Sequence, residues 1–313
     1  MTRNGDMTPR VNFLDRVWVR YHSTKYLSSD PLELVHRFSD PWDQEAVALG
    51  AALLAYGNVK QIRRSVEALL DAMTRSGKGG PAEWVRALGT STGLAAASRG
   101  LSGFVHRFNL GADLVLLYRL LARSWAAHGS LGAHFLGYLE PGAETIEGAL
   151  TSLIGEWRHA AGGWSPRPGF HYLLTSPSDG SCCKRWCMFL RWMGRRDELD
   201  PGLWTVGGAL APEGAGLRPA QLVIPLDTHT GRISQYVGLT ARKTTDWKAA
   251  LEVTNSLRKW DPADPVKYDF ALSRLGILDL CQKRYRPEIC ERCELLPACS
   301  FARAGGARAR GRA

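Results

Sequence analysis

Four cysteines crowd the C-terminal run from Cys281 to Cys299, CQKRYRPEICERCELLPAC, separated by eight, two and five residues. Four thiolates in so short a segment suit metal ligation, and both zinc and a [4Fe–4S] cluster accept four of them in a tetrahedral arrangement. Zinc modules usually pair two C-x2-4-C knuckles, whereas Cys281 stands apart here from the group Cys290, Cys293 and Cys299. That asymmetry favours an iron–sulfur cluster, with zinc the alternative. Two disulfides are the remaining use, and they need an oxidising compartment. The opening MTRNGDMTPR carries no apolar signal segment, so the expectation is a cytoplasmic protein with reduced thiols.

A second set of residues could act on a substrate. In LVIPLDTHTGRISQYVGL, Asp227 sits where a short apolar approach meets a new helix. A carboxylate there either caps the helix or stabilises positive charge on a reacting group. Upstream, FHYLLTSPSDGSCCKRWCMFLRWMGR reads as helix, turn and helix, with turn chemistry at Ser176, Pro177, Asp179 and Gly180. Such a hairpin turns backbone N–H groups outward at a helix N-terminus, where a phosphate can bind. Gly180, Ser181, Lys184 and Arg185 are its candidate contacts. Cys182, Cys183 and Cys187 read as small packed residues.

The elements that must position these groups follow the helical period. Asp40-Pro41 opens WDQEAVALGAALLAYG, apolar nearly all round and therefore expected to be a buried central helix. Asn58 reads as the N-cap of VKQIRRSVEALLDAM, a basic amphipathic helix closed by Ser76-Gly77. Further helical patterns follow, and no alternation of period two stands out, so the fold class is all-α with about a dozen helices. Arg196 to Gln221, rich in Gly and Pro, reads as an insertion or a substrate-contacting loop. The helices DWKAALEVTNSLRKW and ADPVKYDFALSRLGILDL then lead into Cys281.

Charge bounds the partner. Forty Lys and Arg against 30 Asp and Glu leave a net +10, which suits a polyanion whose condensed counterions are released on binding. Arg303, Arg308, Arg310 and Arg312 lie in ARAGGARARGRA, a disordered arm by composition. The longest apolar stretches are too short, or are broken by Arg119 and Arg123, so no membrane span is expected.

In this order, the hairpin, L-D-T-H-x-x-R, two helices and four spaced cysteines resemble the helix-hairpin-helix GPD superfamily of DNA base-excision enzymes, the endonuclease III-like proteins. That family carries V-D-T-H-x-x-R at its catalytic aspartate, matched here by Asp227, Thr228, His229 and Arg232. Its cysteines run C-x6-C-x2-C-x5-C, and only the first gap differs in this chain. S-P-x-x-G-S-x-C-K-R, F-L-R-W-M, P-L-D-T-H and D-P-V-K-Y-D-F are similar to a particular bacterial branch of the superfamily.

The resemblance implies a two-domain helix-hairpin-helix glycosylase-like fold with a C-terminal four-cysteine iron–sulfur loop. Residues 38–222 would form the hairpin domain, 1–37 would join 223–303 around the cluster, and 304–313 would be the basic tail. It implies a DNA glycosylase that hydrolyses the N-glycosidic bond of a damaged or modified base. The partner would be double-stranded DNA with the base flipped out, bound by a monomer. Asp227 would be the catalytic carboxylate, Arg232 a DNA contact, and Asn58 or Tyr56 would fill the gap left by the flipped nucleotide. The loop residues Lys283, Arg284, Arg286 and Arg292 would meet the DNA backbone.

Aligning the hairpins places Cys182 where bifunctional enzymes keep their nucleophilic lysine. Lys184 follows two residues on, roughly 200° further round a helix. The expected enzyme is therefore monofunctional, with Lys184 retained as a second catalytic candidate. Phe170, Tyr172, Trp186, Trp192 and Trp204 could form an aromatic pocket for the base or simply core. A non-catalytic DNA- or RNA-binding protein on the same scaffold and a structure-specific nuclease are the alternatives.

Overall fold

The computed structural model describes residues 13–75, 79–164, 166–282 and 284–304. Residues 1–12, the closing Ser76-Gly77, Lys283 and the basic tail from 305 onward lie outside them. The described chain is mostly helical, and none of its helices is long and apolar enough to cross a membrane. Helices α1 (Phe13–Tyr21) and α2 (Leu32–Val35) lead to α3 (Pro41–Leu53), which is buried from Glu45 to Leu53. Asp40 starts α3 by accepting the Trp42 and Asp43 amides at 2.9 and 3.1 Å, with Pro41 preset for the first turn. Asn58 starts α4 (Val59–Thr74) in the same way, taking the Lys60 amide at 2.9 Å.

Short helices α5 (Pro81–Ala87) and α6 (Ser91–Gly100) precede a hairpin of two-residue strands, β1 (Val105–His106) and β2 (Asn109–Leu110). Two residues per strand are too few to show alternation, so this hairpin left no period-two signal. Its turn holds Arg107 at φ 56° and projects Phe108, which is 44% exposed. Helices α7 (Gly111–His128), α8 (Leu131–Gly137), α9 (Glu147–Gly162) and α10 (Pro168–Leu173) complete the first half.

Between α10 and α11 (Lys184–Gly194) the turn forms at the residues singled out for it. Ser176 caps a short 3-10 turn over Pro177–Asp179, and Gly180 closes it at φ 74°. Ser181 then bridges to Asp246, and Cys183 takes φ 47°, a left-handed conformation rare for a side chain of its kind. Helical geometry begins only at Lys184.

The stretch from Arg196 to Gln221 is anchored in the core at several points. Trp204, Leu210 and Leu217 are buried, and the Trp204 indole donates to Glu45 at 2.7 Å. Glu45, itself fully buried, also accepts from Trp125 and from the amides of Leu131 and Gly132. The segment is thus tied to the back of α3 by its apolar anchors, and none of its residues lines the large cleft described below.

The chain then runs buried through Leu222–Leu226 into α12 (Thr228–Tyr236), α13 (Trp247–Arg258), α14 (Asp269–Ile277) and α15 (Pro287–Cys290). Helix α14 packs on α1 and α12, while α11 packs on α3. Tyr268 donates to Asp15 at 2.9 Å and Arg274 pairs with Asp30 at 2.8 Å, tying the N-terminal segment to the C-terminal helices.

Candidate functional site

A cleft of about 720 Å³ opens where the start of α11, the start of α12, the turn after α3 and one side of α14 meet. Three segments far apart in sequence converge on it, bringing together Asn58, Ser181 with Lys184, and Asp227. Asp227 is half-buried and is the N-cap of α12, its Oδ1 accepting the His229 and Thr230 amides at 2.8 Å each. Capping and catalysis therefore do not compete for this side chain, because the cap engages Oδ1 and leaves Oδ2 uncommitted to it. His229 also lines the cleft, its ring lying on Gly276 of α14, where an added Cβ would come within 2.9 Å of the His229 Cβ.

Lys184 sends its ammonium to the Ala55 carbonyl at the end of α3, 3.2 Å away. Cys182 faces the same cleft and donates its thiol to the Leu226 carbonyl at 3.3 Å. Burial pushes that thiol up, the Asp227 charge adds to the rise and Lys184 opposes it, so the three side chains sense one another. The left-handed Cys183 breaks the helical register between Cys182 and Lys184. The expectation that Lys184 would point roughly 200° away from Cys182 is corrected for that reason, since the separation holds only inside a regular helix.

One expected DNA contact is corrected. Arg185 is buried, with its guanidinium bonded to the Leu53 and Tyr172 carbonyls and lying 4.0 Å over the Tyr172 ring, so it fastens α11 to α3 and α10. Arg232 does not line the cleft; its charge acts on Cys281 and Tyr236 at the other end of α12. Gly180 is exposed at the turn and accepts the Trp247 amide through its carbonyl, beside the cleft and outside its lining.

The aromatic candidates divide in the same manner. Phe170, Trp186, Trp192 and Trp204 are sealed in the core, whereas Tyr172 stays at the rim. Tyr172, Tyr56 and Phe108 form an aromatic group with ring centroids 4.5 to 5.5 Å apart. Tyr56 is half-buried and donates to the His106 carbonyl and to Asn109. Burial raises the Cys183 thiol to about 12 and lifts Cys187 as well, which leaves both inert packing residues.

The cleft floor holds ionisable residues to which the sequence assigned no role. Arg191, in F-L-R-W-M, donates to Asp269 at 2.5 Å and to Asp200 at 3.1 Å. Asp269, in D-P-V-K-Y-D-F, is 4% exposed and lines the cleft. Burial pushes its carboxyl up to about 6 against the pull of Arg191, and Asp227 adds to the rise. A charged residue inside an otherwise apolar helix is the signal that could have marked Arg191.

A second, smaller pocket lies at the far end of α12, beside the segment that follows α14. All four C-terminal cysteines line it, walled by apolar side chains and by Tyr236 stacked on Phe301 at 4.6 Å. Cys281 is pushed up to about 11, first by burial and then by Cys293, Cys299 and Cys290, so the four sulfurs face a common space. Among the described residues, no group of three or more His, Cys, Asp or Glu side chains is arranged to hold a single metal ion.

The family model described as protein of unknown function (DUF2400) matches residues 30–278. The chain belongs to the DUF2400 family. No curated protein and no solved structure matches it. The DUF2400 match takes in Asp227, Lys184, Asn58 and Asp269 and stops short of Cys281.

Proposed function

We propose that this DUF2400 chain is a DNA N-glycosylase of the helix-hairpin-helix GPD kind that hydrolyses the bond between deoxyribose and a damaged or modified base. The observation that carries the reading is the convergence of Asn58, Ser181, Lys184 and Asp227 on one cleft large enough for a nucleotide. The aromatic rim of Tyr172 and Phe108, with Arg107 lying 5.9 Å from the Tyr56 ring, supports it as a surface on which bases can stack.

In this reading the target nucleotide leaves the duplex and its sugar comes to rest against Asp227. As the C1′–N bond breaks, its electron pair leaves with the base and the sugar becomes cationic. The Asp227 carboxylate stabilises that charge and accepts a proton from the water whose oxygen bonds C1′. Thr228, exposed at the start of α12, and Ser181 border the path of the incoming strand.

The two-domain division, residues 38–222 against 1–37 with 223–303, belongs to the same proposal, as does the cofactor. A [4Fe–4S] cluster held by Cys281, Cys290, Cys293 and Cys299 fits a donor set of four sulfurs in an apolar wall. Bound there, it supplies a covalent frame that fixes the loop behind α12 and α14.

A second reading, lyase chemistry by Lys184, is favoured by one observation: the left-handed Cys183 brings Lys184 into the cleft with Asp227. Borohydride trapping on an abasic duplex separates the two, since only an amine that has bonded C1′ is captured. The test of the main reading is incubation with duplexes carrying modified bases, with and without alkali. A glycosylase gives strand breaks that depend on alkali; breaks without alkali point to a nuclease, and a salt-dependent shift alone points to a binder.

A further inference from the structure

The part of the cleft lining formed by Ser29, Asp30, Arg191, Asp269, Ser273 and Arg274 spends its hydrogen-bond donors on the protein itself. Arg274 gives its Nη1 to the Tyr26 carbonyl and the Ser29 hydroxyl, at 3.3 and 2.9 Å, and its Nη2 to Asp30 and Ser273, at 2.8 and 3.2 Å. Both hydroxyls donate in turn to backbone carbonyls, Ser29 to Tyr26 and Ser273 to Phe270. Arg191 gives its Nη1 to Asp269 and its Nη2 to Asp200, and the Nε of each arginine has no exposed surface. What stays open to a ligand here is an acceptor. Asp30 uses one oxygen on the Leu32 amide and the other on Arg274, whereas Asp269 commits only Oδ2, to Arg191. Its Oδ1 takes no hydrogen bond from any described residue and keeps exposed surface, in a residue that is otherwise buried and lines the cleft. Arg191 balances the charge, so the group is stable as a carboxylate, and a carboxylate oxygen in so buried a place calls for a donor.

We propose that Asp269 reads the flipped base, its Oδ1 accepting a hydrogen bond from an exocyclic amino group on the Watson–Crick edge. Bases that carry an amino group there are thereby chosen over their carbonyl counterparts. The inference rests on the reading that a nucleotide is turned out into this cleft. Arg191 is the positioning residue, because its hold on Oδ2 fixes where Oδ1 stands. A carbonyl in place of the amino group sets two acceptors face to face, which removes the hydrogen bond and leaves the carboxylate oxygen desolvated without a partner. Asp227 caps the start of α12 and Asp269 opens α14, so the groups assigned to the sugar and to the base stand on different helices.

The test is the affinity of the full-length protein for matched duplexes that carry one base opposite an abasic spacer, read by fluorescence anisotropy. The pairs are 5-methylcytosine against thymine and adenine against hypoxanthine, at a pH above the Asp269 titration at about 6. The wild type should bind the amino member of each pair roughly 10- to 100-fold more tightly, the worth of one hydrogen bond to a charged group. In Asp269→Asn the amide oxygen must face Arg191, which turns the NH2 to the cleft, so the preference should swing to the carbonyl member. Asp269→Glu keeps the charge that Arg191 needs but displaces the free oxygen, and serves where the asparagine variant does not fold; there the preference should shrink. Equal affinity for both members in the wild type, or a wild-type preference kept in the folded variant, overturns the proposal. Selective binding by a protein that releases no base from the panel of modified duplexes would sink the glycosylase reading and leave this one standing, and base release without selective binding would do the reverse.

Discussion

The cleft and the four-cysteine pocket lie at opposite ends of α12. Helix α12 starts from its cap Asp227 in the cleft and finishes at Tyr236 against the cysteines; α14 lines the cleft from Asp269 to Ile277, and the segment after it carries Cys281. At one end the lining is ionic and open, with Lys184, Arg191, Arg274 and three aspartates. At the other it is thiol and apolar, with no carboxylate facing in among the described residues. Helix N-termini gather carboxylates and amide donors, which suits a place where charge develops. Helix ends followed by a short loop can only be fixed by what grips that loop. The contrast suggests a division of labour: one end does chemistry, and the other holds the helices that aim it.

Breaking the cysteine end should have the largest effect. Cys293→Ser is expected to remove the iron and acid-labile sulfide of anaerobically purified protein and to lower its melting temperature, because metal binding and loop folding are one free energy. Stoichiometric zinc with no iron in the wild type would instead assign the pocket to zinc. Breaking the floor of the cleft comes next. Arg191→Met leaves Asp269 and Asp200 short of a buried partner, and should cost about 3–5 kcal/mol in denaturant unfolding while iron content stays at the wild-type level. If iron is lost as well, the two ends are not separable and the comparison fails.

Phe108→Ala is the mildest change. The side chain is 44% exposed and packs edge-on against Tyr172, so stability should fall by about 1 kcal/mol. Affinity for a duplex with an unpaired or modified base should fall by roughly 5- to 100-fold, the worth of one base stacked on an aromatic ring. Fluorescence anisotropy at fixed salt reads this out, and unchanged affinity would remove the rim from the account.

How much of this was legible in the chain depended on range. The Asp227 cap, the Asn58 cap, the buried α3 and the turn at Ser176–Gly180 are local, set by residues within a few positions of one another, and could be read directly. Arg185 could not, because an arginine at a helix start has the same pattern whether it meets phosphate or the carbonyls of Leu53 and Tyr172. Nor could Cys183, whose left-handed backbone is rare for a non-glycine residue and which reset the direction of Lys184. The Arg191–Asp269 pair spans 78 residues, and only the fold brings it together. The loop from 196 to 221 held a clue that composition hid: Trp204, Leu210 and Leu217 among its glycines and prolines are anchors for a packed segment, not decoration on a mobile one.

The most direct test compares wild type with Asp227→Asn in single-turnover base release from a modified duplex that the wild type processes. The substitution keeps the helix cap and removes only the charge. A fall of roughly 100- to 1000-fold with unchanged melting temperature and DNA affinity is the predicted result. Equal rates of base release from the two proteins would contradict the assignment of this carboxylate, and with it the enzyme proposed here.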